Sequence, residues 1–469
     1  MQRRTFLQNL LWIIGGITAA SACTKRSGTL GSDGKLVKGK VTSQGKGLAN
    51  VVLSDGFSVV NTGSDGSYQI TLGANSEHIF VSIPSGYAFP HEKNIARHYK
   101  EVAGTDTFNL ELTPLTLKDD QHQFMIWADP QIKNAQDVEK LMTQSVPDVQ
   151  QYVKLLPANT LIHGICVGDI VWDNLPLYSS YNQAIERCGL PFFQVIGNHD
   201  MDYEKGGDEK SDDTFKKTYG PGYYSFNRGQ VHYVVLDDVY YLGADRDYKG
   251  FITEEQLACL KKDLSFVTPD KLIVLCTHIP VHNSVENKQA LYDILKPYKT
   301  HIMTGHTHYN LNVISGNVYE HVHGTVCGAW WTGTICGDGT PPGYAIYEVN
   351  GTELKWHYKS VGKTRAHQIR TMVEPNSAGD RLVANVWNWD PSWKVEWQAD
   401  GISKGLLPRS TDYDPLAVTL YLGDKLPASR TFVEPNRTEH LFKATIPKGA
   451  QQVKIIATDR FGVQYEATA

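Results

Sequence analysis

Five short clusters of metal-binding residue types lie in order along the middle of this 469-residue chain, each behind an apolar run. They are Asp129-Pro130-Gln131, Gly168-Asp169, Gly197-Asn198-His199-Asp200, His278 and Gly305-His306-Thr307-His308. Carboxylate and amide oxygens mixed with imidazole suit Mn²⁺, Fe or Zn²⁺ better than an all-oxygen Ca²⁺ site. Two such ions sharing one carboxylate clamp the attacking and leaving oxygens of an in-line phosphoryl displacement and acidify a water between them. Glycines beside Asp169, Asn198 and His306 let the backbone turn sharply and come close to a ligand. Taken singly, His278 reads as a structural histidine, Asp169 as a turn residue and Gly197–Asp200 as a helix cap. It is the five together that point to a two-metal centre.

Such a centre needs a scaffold that brings distant residues together. The runs Phe124–Ala128, Leu161–Val167, Phe192–Ile196 and Leu272–Cys276 read as strands buried on both faces of an α/β sheet, with helix-like stretches between them. Ligands bind beyond the carboxyl ends of such strands, where all five clusters would converge. This grammar fills residues 119–362. Before it, residues 36–118 alternate in short runs (Val37–Val41, Val51–Leu53, Tyr68–Leu72, Ile79–Ile83) separated by turns such as Ser64-Asp65-Gly66-Ser67, which predicts a small β-sandwich. It holds no cluster of ligand or acid–base residues and reads as a spacer or docking module. Alternation returns over 363–469, in Leu382–Trp387, Leu416–Tyr421 and Val453–Ala457, predicting a second β-sandwich. Trp387, Trp389, Trp393 and Trp397 there fit either a sugar-binding surface or ordinary packing.

The first 22 residues read as a signal peptide. A basic start with Arg3-Arg4 precedes a short apolar stretch, and Ala20-Ser21-Ala22 leads into Cys23. Small residues before a cysteine resemble a lipobox, with Cys23 as the acylated terminus, and the Arg-Arg-x-Phe-Leu start resembles a twin-arginine export signal. Residues 23–35, rich in Gly, Ser and charge, follow as a flexible tether. The expectation is an exported bacterial envelope lipoprotein, periplasmic or outer-membrane anchored, touching membrane only through that lipid. Thr24, not Asp, after Cys23 disfavours inner-membrane retention by analogy with lipoprotein sorting. A net charge of −5 gives no footprint for nucleic acid. None of the six other cysteines forms a C-x-x-C pair, so thiolate zinc is not expected. Cys327 and Cys336 are the only near neighbours.

The order D-x-(H/Q), GD, GNHD, H, GHxH resembles the calcineurin-like metallophosphoesterases. The resemblance places Asp129, Gln131, Asp169 and His308 on a first metal, and Asp169 with Asn198, His278 and His306 on a second. His199 would be the general acid or donor beside the phosphate, oriented by Asp200. Tyr219-Gly220-Pro221, Gly328-Ala329-Trp330-Trp331 and Asp338-Gly339 through Tyr344 extend the match. They resemble a bacterial branch with an N-terminal transthyretin- or carboxypeptidase-regulatory-like module and a C-terminal β domain. The implied fold is an α/β (α+β) core of sandwiched β-sheets with flanking helices, set between two small all-β sandwich domains. The implied activity is hydrolysis of phosphate esters by a hydroxide bridging two divalent ions. A phosphomonoesterase for phosphoprotein or small molecules leads, with a phosphodiesterase on nucleotides, lipid headgroups or envelope polymers as the alternative. A non-catalytic surface binding lipoprotein is the reading from outside enzymology.

Gln131 stands where most of the family carries histidine. A neutral amide oxygen is a harder, poorer donor, so first-site affinity should fall and preference should move toward Mn²⁺ or Mg²⁺. Trp330, Trp331 and Tyr344 line the pocket mouth or belong to a packed loop; aromatic walls there favour a substrate with a planar or apolar part. Asp173, four residues after Asp169, is a candidate to hydrogen-bond around the site, which the sequence leaves open. His163, His282, His321 and His323 match no ligand position and are expected to be structural or at the rim.

Overall fold

The computed structural model describes residues 34–104, 106–377 and 379–469, and those from Lys35 onward form one compact unit. The signal segment, Cys23 and the tether up to residue 33 lie outside the described residues. Among the described residues no helix is long and apolar enough to cross a membrane.

Two mixed sheets face each other in the middle of the chain. The first contains the parallel strands β1 (Gln121–Trp127), β2 (Ile162–Val167) and β3 (Phe192–Val195). The second contains the parallel strands β4 (Val231–Val235), β5 (Leu272–Cys276) and β6 (Lys299–Thr304). Their apolar runs are continuous because both faces are covered. Phe124, Ile126, Val167, Val195, Val235, Val274, Cys276 and Met303 fill the space between the sheets. Phe193 of the first sheet stacks on Phe226 of the second, with centroids 3.8 Å apart and planes 6° off parallel. Helices Ala135–Lys140, Val146–Leu155 and Tyr178–Cys188 cover the outside of the first sheet. Helices Glu254–Leu264 and Lys288–Leu295 cover the second.

Register aligns the strand ends. Trp127 pairs with Cys166, and Val167 with Val195; in the other sheet Val235 pairs with Cys276, and Cys276 with Met303. The residues that follow these positions therefore emerge side by side on one rim.

The N-terminal strands form two small sheets, as the alternation predicts. They are more than a spacer. The hairpin His91–Glu92/Ile95–Ala96 adds to the first large sheet, with Ile95 paired in parallel to Phe192. Asn227 N donates to Ile83 O at 2.8 Å, and the Arg228 guanidinium lies 3.8 Å from the centre of the Phe89 ring. The module thus shares its core with the central sheets, and Phe80, Ile83 and Phe89 belong to the same apolar cluster as Phe124 and Val274.

The C-terminal strands form two four-stranded sheets. One expected strand is wrong: Leu416–Tyr421 lies inside the helix Pro415–Leu422. Asp414 caps it, accepting from Leu416 N (3.0 Å) and Ala417 N (3.1 Å), and Pro415 occupies the first turn. An Asp-Pro start outweighs a short apolar alternation. Trp387, Trp393 and Trp397 are buried, Trp393 and Trp397 within the C-terminal core, so packing accounts for them. Cys166, Cys188, Cys259, Cys276, Cys327 and Cys336 are buried free thiols.

Candidate metal centre

Asp129 follows β1, Asp169 follows β2, Asn198 to Asp200 follow β3, His278 follows β5, and His306 and His308 follow β6. The turns that aim them are unusual. Asp129, Gln131, Asp169, Asp173, His306, His308, Trp330 and Trp331 all have positive φ between 39° and 69°. Side-chain-bearing residues rarely adopt this region, and such conformations gather where surrounding structure fixes a functional geometry. Close approach also demands glycine. A Cβ on Gly197 would fall 2.3 Å from Asp169 Oδ1, and one on Gly305 2.5 Å from Asp129 Oδ2.

Asp169, expected to be shared, is central. Its Oδ2 accepts from Gln131 Nε2 at 2.6 Å, its Oδ1 accepts from His199 N at 2.9 Å, and His278 Nε2 lies 3.3 Å from Oδ1. His278 Nδ1–H donates to Val167 O at 2.8 Å, which turns Nε2 toward the site. Asn198 Oδ1 and His306 Nδ1 each lie 3.1 Å from that Nε2. Ligand atoms of Asp169, His278 and His306 all fall within 4.8 Å of one another. His308 Nε2 is 3.5 Å from Asp129 Oδ1, and Asp129 itself accepts from His306 N at 3.0 and 3.1 Å.

The donor set fits divalent cations. Gln131 Oε1 and both ring nitrogens of His308 are buried with no hydrogen-bond partner. Buried polar atoms are costly when unpaired, and these lie beside two carboxylates. Burial pushes His306 and His308 down to about 3, so both rings are neutral and hold lone pairs for a metal. Burial works against charge on His278 too, yet Asp169 and Asp129 raise it to about 10.

A quarter of the His199 side chain is open. Burial would lower its pKa, but Asp169 and Asp173 raise it. Its Nδ1 is 2.7 Å from Asp173 Oδ1, which leaves Nε2 for a substrate. Asp173 Oδ2 also accepts from the exposed Arg246 at 2.6 Å.

This corrects one expectation. Asp200 does not orient His199. Its carboxylate accepts from Gly197 N (3.0 Å), Ile170 N (3.1 Å), Val171 N (3.2 Å) and Tyr178 OH (3.2 Å). It therefore ties the Asp169 loop to the Asn198 loop, and burial, followed by the nearby Asp169, raises it to about 7.

The expected aromatic mouth is also revised. Trp330 stacks on His308, with centroids 4.1 Å apart and planes 21° off parallel. Trp331 is buried, its Nε1 donating to Pro130 O at 2.8 Å, and so supports the Asp129 loop from behind. Tyr344 is wholly buried, with its hydroxyl on Asp148 Oδ2 at 2.7 Å. His163, His321 and His323 are buried among aromatic rings, and His282 Nδ1 lies 3.2 Å from Glu320.

Sequence reasoning missed several contributors. The buried Asp238 accepts from His278 N (3.0 Å) and Ile279 N (3.1 Å) and so fixes the His278 turn. The doublet Asp237-Asp238 at the end of an apolar strand was its only signal. Trp172, whose ring centre is 6.0 Å from that of His199, lies next to Asp173 in the chain. Arg246 and Phe432 carry no sequence signal at all.

No curated protein matched the chain. Among solved structures, a dimetal phosphatase from Danio rerio matches at 13% identity and TM-score 0.37, over 51% of this chain and 96% of that one. A purple acid phosphatase from yellow lupin matches at 14% identity and TM-score 0.38, over 66% and 67%. A 5′-nucleotidase from Candida albicans matches at 13% and 0.31, over 52% and 51%. Similarities this low add nothing to what family models show. The model for calcineurin-like phosphoesterase matches residues 120–310, and the models for the N and C terminal of calcineurin-like phosphoesterase match 35–115 and 320–465. With all three segments matched in order, the chain belongs to the calcineurin-like phosphoesterases and is a hydrolase of phosphate esters.

Proposed function

We propose that this protein is a metal-dependent phosphomonoesterase, exported and held at a bacterial envelope through an acylated Cys23. The observation that carries the reading is the convergence of Asp129, Gln131, Asp169, Asn198, His278, His306 and His308, with Gln131 Oε1 and the His308 nitrogens buried and unpartnered. Asp129, Gln131, Asp169 and His308 would hold one divalent ion, and Asp169, Asn198, His278 and His306 the other. Mn²⁺, Fe and Zn²⁺ fit the mixed donors, and Mg²⁺ fits the Gln131 side. Bound there, the ions supply positive charge for the oxygens around phosphorus and make water acidic enough to react near neutral pH.

The chain's own residues do the rest. His278 is held by Val167 O and Asp238, so its Nε2 is aimed at the site before any ligand arrives. His199 carries a proton on Nε2 to the departing oxygen while Asp173 balances the charge of the ring. Arg246, with most of its side chain exposed beside Asp173, adds a cation suited to the extra negative charge of a monoester. That charge is what favours a monoester over a diester.

The test is hydrolysis of p-nitrophenyl phosphate and bis-p-nitrophenyl phosphate by the chain lacking residues 1–23. Mn²⁺, Zn²⁺, Fe²⁺ or Mg²⁺ is supplied in turn, with Asp169→Asn and His199→Ala alongside. Metal-dependent turnover that favours the monoester and is lost in Asp169→Asn supports the reading; in His199→Ala turnover of glycerol phosphate should be lost and that of p-nitrophenyl phosphate largely kept, since p-nitrophenolate leaves without a proton. A preference for the diester, or turnover indifferent to Asp169→Asn, overturns it. Palmitate labelling that persists in Cys23→Ser would remove the lipid anchor from the proposal.

A further inference from the structure

Three aromatic rings from distant parts of the chain meet beside the metal centre. Trp172 stands edge-on to His199, with ring centres 6.0 Å apart and planes at 71°. Trp330 stacks on His308. Phe432, from the C-terminal region, packs edge-to-face against both, 5.6 Å from Trp172 and 5.2 Å from Trp330. One aromatic surface thus runs from the proton donor to a metal-binding histidine.

The way Phe432 is held indicates that its position matters. Arg430 forms an ion pair with the buried Asp137, and Thr332 Oγ1 donates to Ser429 O at 2.8 Å. On the other side Val433 is buried with Ala329, Ile335 and Tyr421. Between these anchors Phe432 remains 53% exposed. A large apolar ring, pinned on both sides and left half in water next to a reactive centre, is a surface available to a ligand. Lys133 Nζ sits 3.8 Å from the centre of the Trp172 ring and Arg430 5.1 Å from it, and these cation–π contacts fix the indole.

We infer that Trp172, Trp330 and Phe432 form a leaving-group subsite and that the preferred substrate is the phosphate monoester of an aromatic alcohol. The inference rests on the phosphomonoesterase reading above. The group bonded to the departing oxygen must lie next to the residue that protonates it, and beside His199 that neighbour is Trp172. Rings inclined to one another at 46° to 80° offer faces and edges to a flat partner, an arrangement that rewards an aryl group over a small alkyl group. In the reaction, water oxygen bonds to phosphorus as the phosphorus–aryl oxygen bond breaks. The aryl oxygen leaves with a proton as the phenol, and orthophosphate is the other product.

Phenylphosphonate and methylphosphonate carry the same head group and differ only in what faces the wall. Their inhibition constants against p-nitrophenyl phosphate are measured on the full chain supplied with Mn²⁺, with tryptophan fluorescence as an independent readout of binding. The expected result is phenylphosphonate binding tighter by about tenfold, with quenching. In Phe432→Ala that ratio falls below about threefold, while Phe266→Ala, an exposed aromatic elsewhere, preserves it. Equal affinity for the two phosphonates in the wild type overturns the subsite and leaves phosphomonoester hydrolysis standing. An unchanged ratio in Phe432→Ala overturns the assignment of Phe432 to the subsite. Failure of a folded, metal-loaded chain to bind either phosphonate or to turn over p-nitrophenyl phosphate overturns the phosphomonoesterase reading, and the subsite with it.

Discussion

Replacing Asp173 by asparagine tests how His199 works. The carboxylate holds His199 Nδ1 at 2.7 Å and Arg246 at 2.6 Å, with 14% of its own side chain exposed. Asparagine keeps an acceptor and the volume but removes the charge that stabilises a protonated ring. A hydrogen bond to a charged group is worth about 1.5–3 kcal/mol, and the partial exposure of both side chains argues for the lower half of that range. In rate this is about ten- to fiftyfold. The loss should depend on the leaving group. An alkyl phosphate such as glycerol phosphate leaves as a strong base and needs the proton, so its kcat should fall by about that factor. p-Nitrophenolate departs without help, so kcat for p-nitrophenyl phosphate should fall less than about threefold. Steady-state kinetics on both substrates, with metal content measured in the same samples, gives the ratio. Equal losses on the two substrates at unchanged metal content would refute the assignment of His199 as a proton donor held by Asp173.

Further outcomes follow from other contacts. Gln131→His should raise first-site Zn²⁺ affinity at least severalfold in titration calorimetry, since imidazole replaces a neutral amide oxygen; equal affinities would show that Gln131 Oε1 is not a ligand. His98 is buried against Phe193 and Tyr224 with neither ring nitrogen partnered, and burial holds it down to about 3. Because its folded pKa is depressed, the stability it permits is present above the unfolded value of about 6.5 and is lost as pH falls from there toward 3. His98→Phe should therefore stabilise the protein by about 2 kcal/mol more at pH 5 than at pH 8 in urea titrations, and a pH-independent effect would contradict this. Asp338 is fully buried and accepts from Asn310 N, Thr340 N, Thr340 Oγ1 and His440 Nε2 at 2.7–3.0 Å. Asp338→Ala should cost about 3–5 kcal/mol in denaturant unfolding; a loss below about 1 kcal/mol would mean that this network does not join the central region to the C-terminal sheets.

Much of the site was legible because strand ends are. A continuous apolar run followed by Gly-Asp or Gly-Asn-His-Asp tells where the chain leaves a sheet and which side chain it carries there. Parallel register then aligns those ends without further information, as with Trp127, Cys166 and Gln194 across the first sheet. What sequence could not separate were two acids that could each serve one histidine. Asp173 and Asp200 both lie near His199, and only the path of the loop shows that one meets the ring and the other meets three backbone N–H groups. Contacts between far-apart segments were equally hidden: nothing around Phe432 announces its meeting with Trp172. The helix Pro415–Leu422 was misread because six apolar-rich residues satisfy either period, and the deciding signal was the cap before them.

The pairing of Ile95 with Phe192 has a consequence for how the protein avoids sticking to itself. Without it, β3 would open its edge with the unpaired N–H and C=O groups of Phe192, at the start of a strongly apolar segment and a template for adding a strand from another molecule, while further along the Tyr224 hydroxyl donates to Gln194 O at 2.8 Å. The hairpin instead ends the sheet on the two-residue strand His91–Glu92, short, polar and exposed. That cover is synthesised about a hundred residues before the strand it meets, so a nascent chain already carries the means to pair the start of that edge when it first forms.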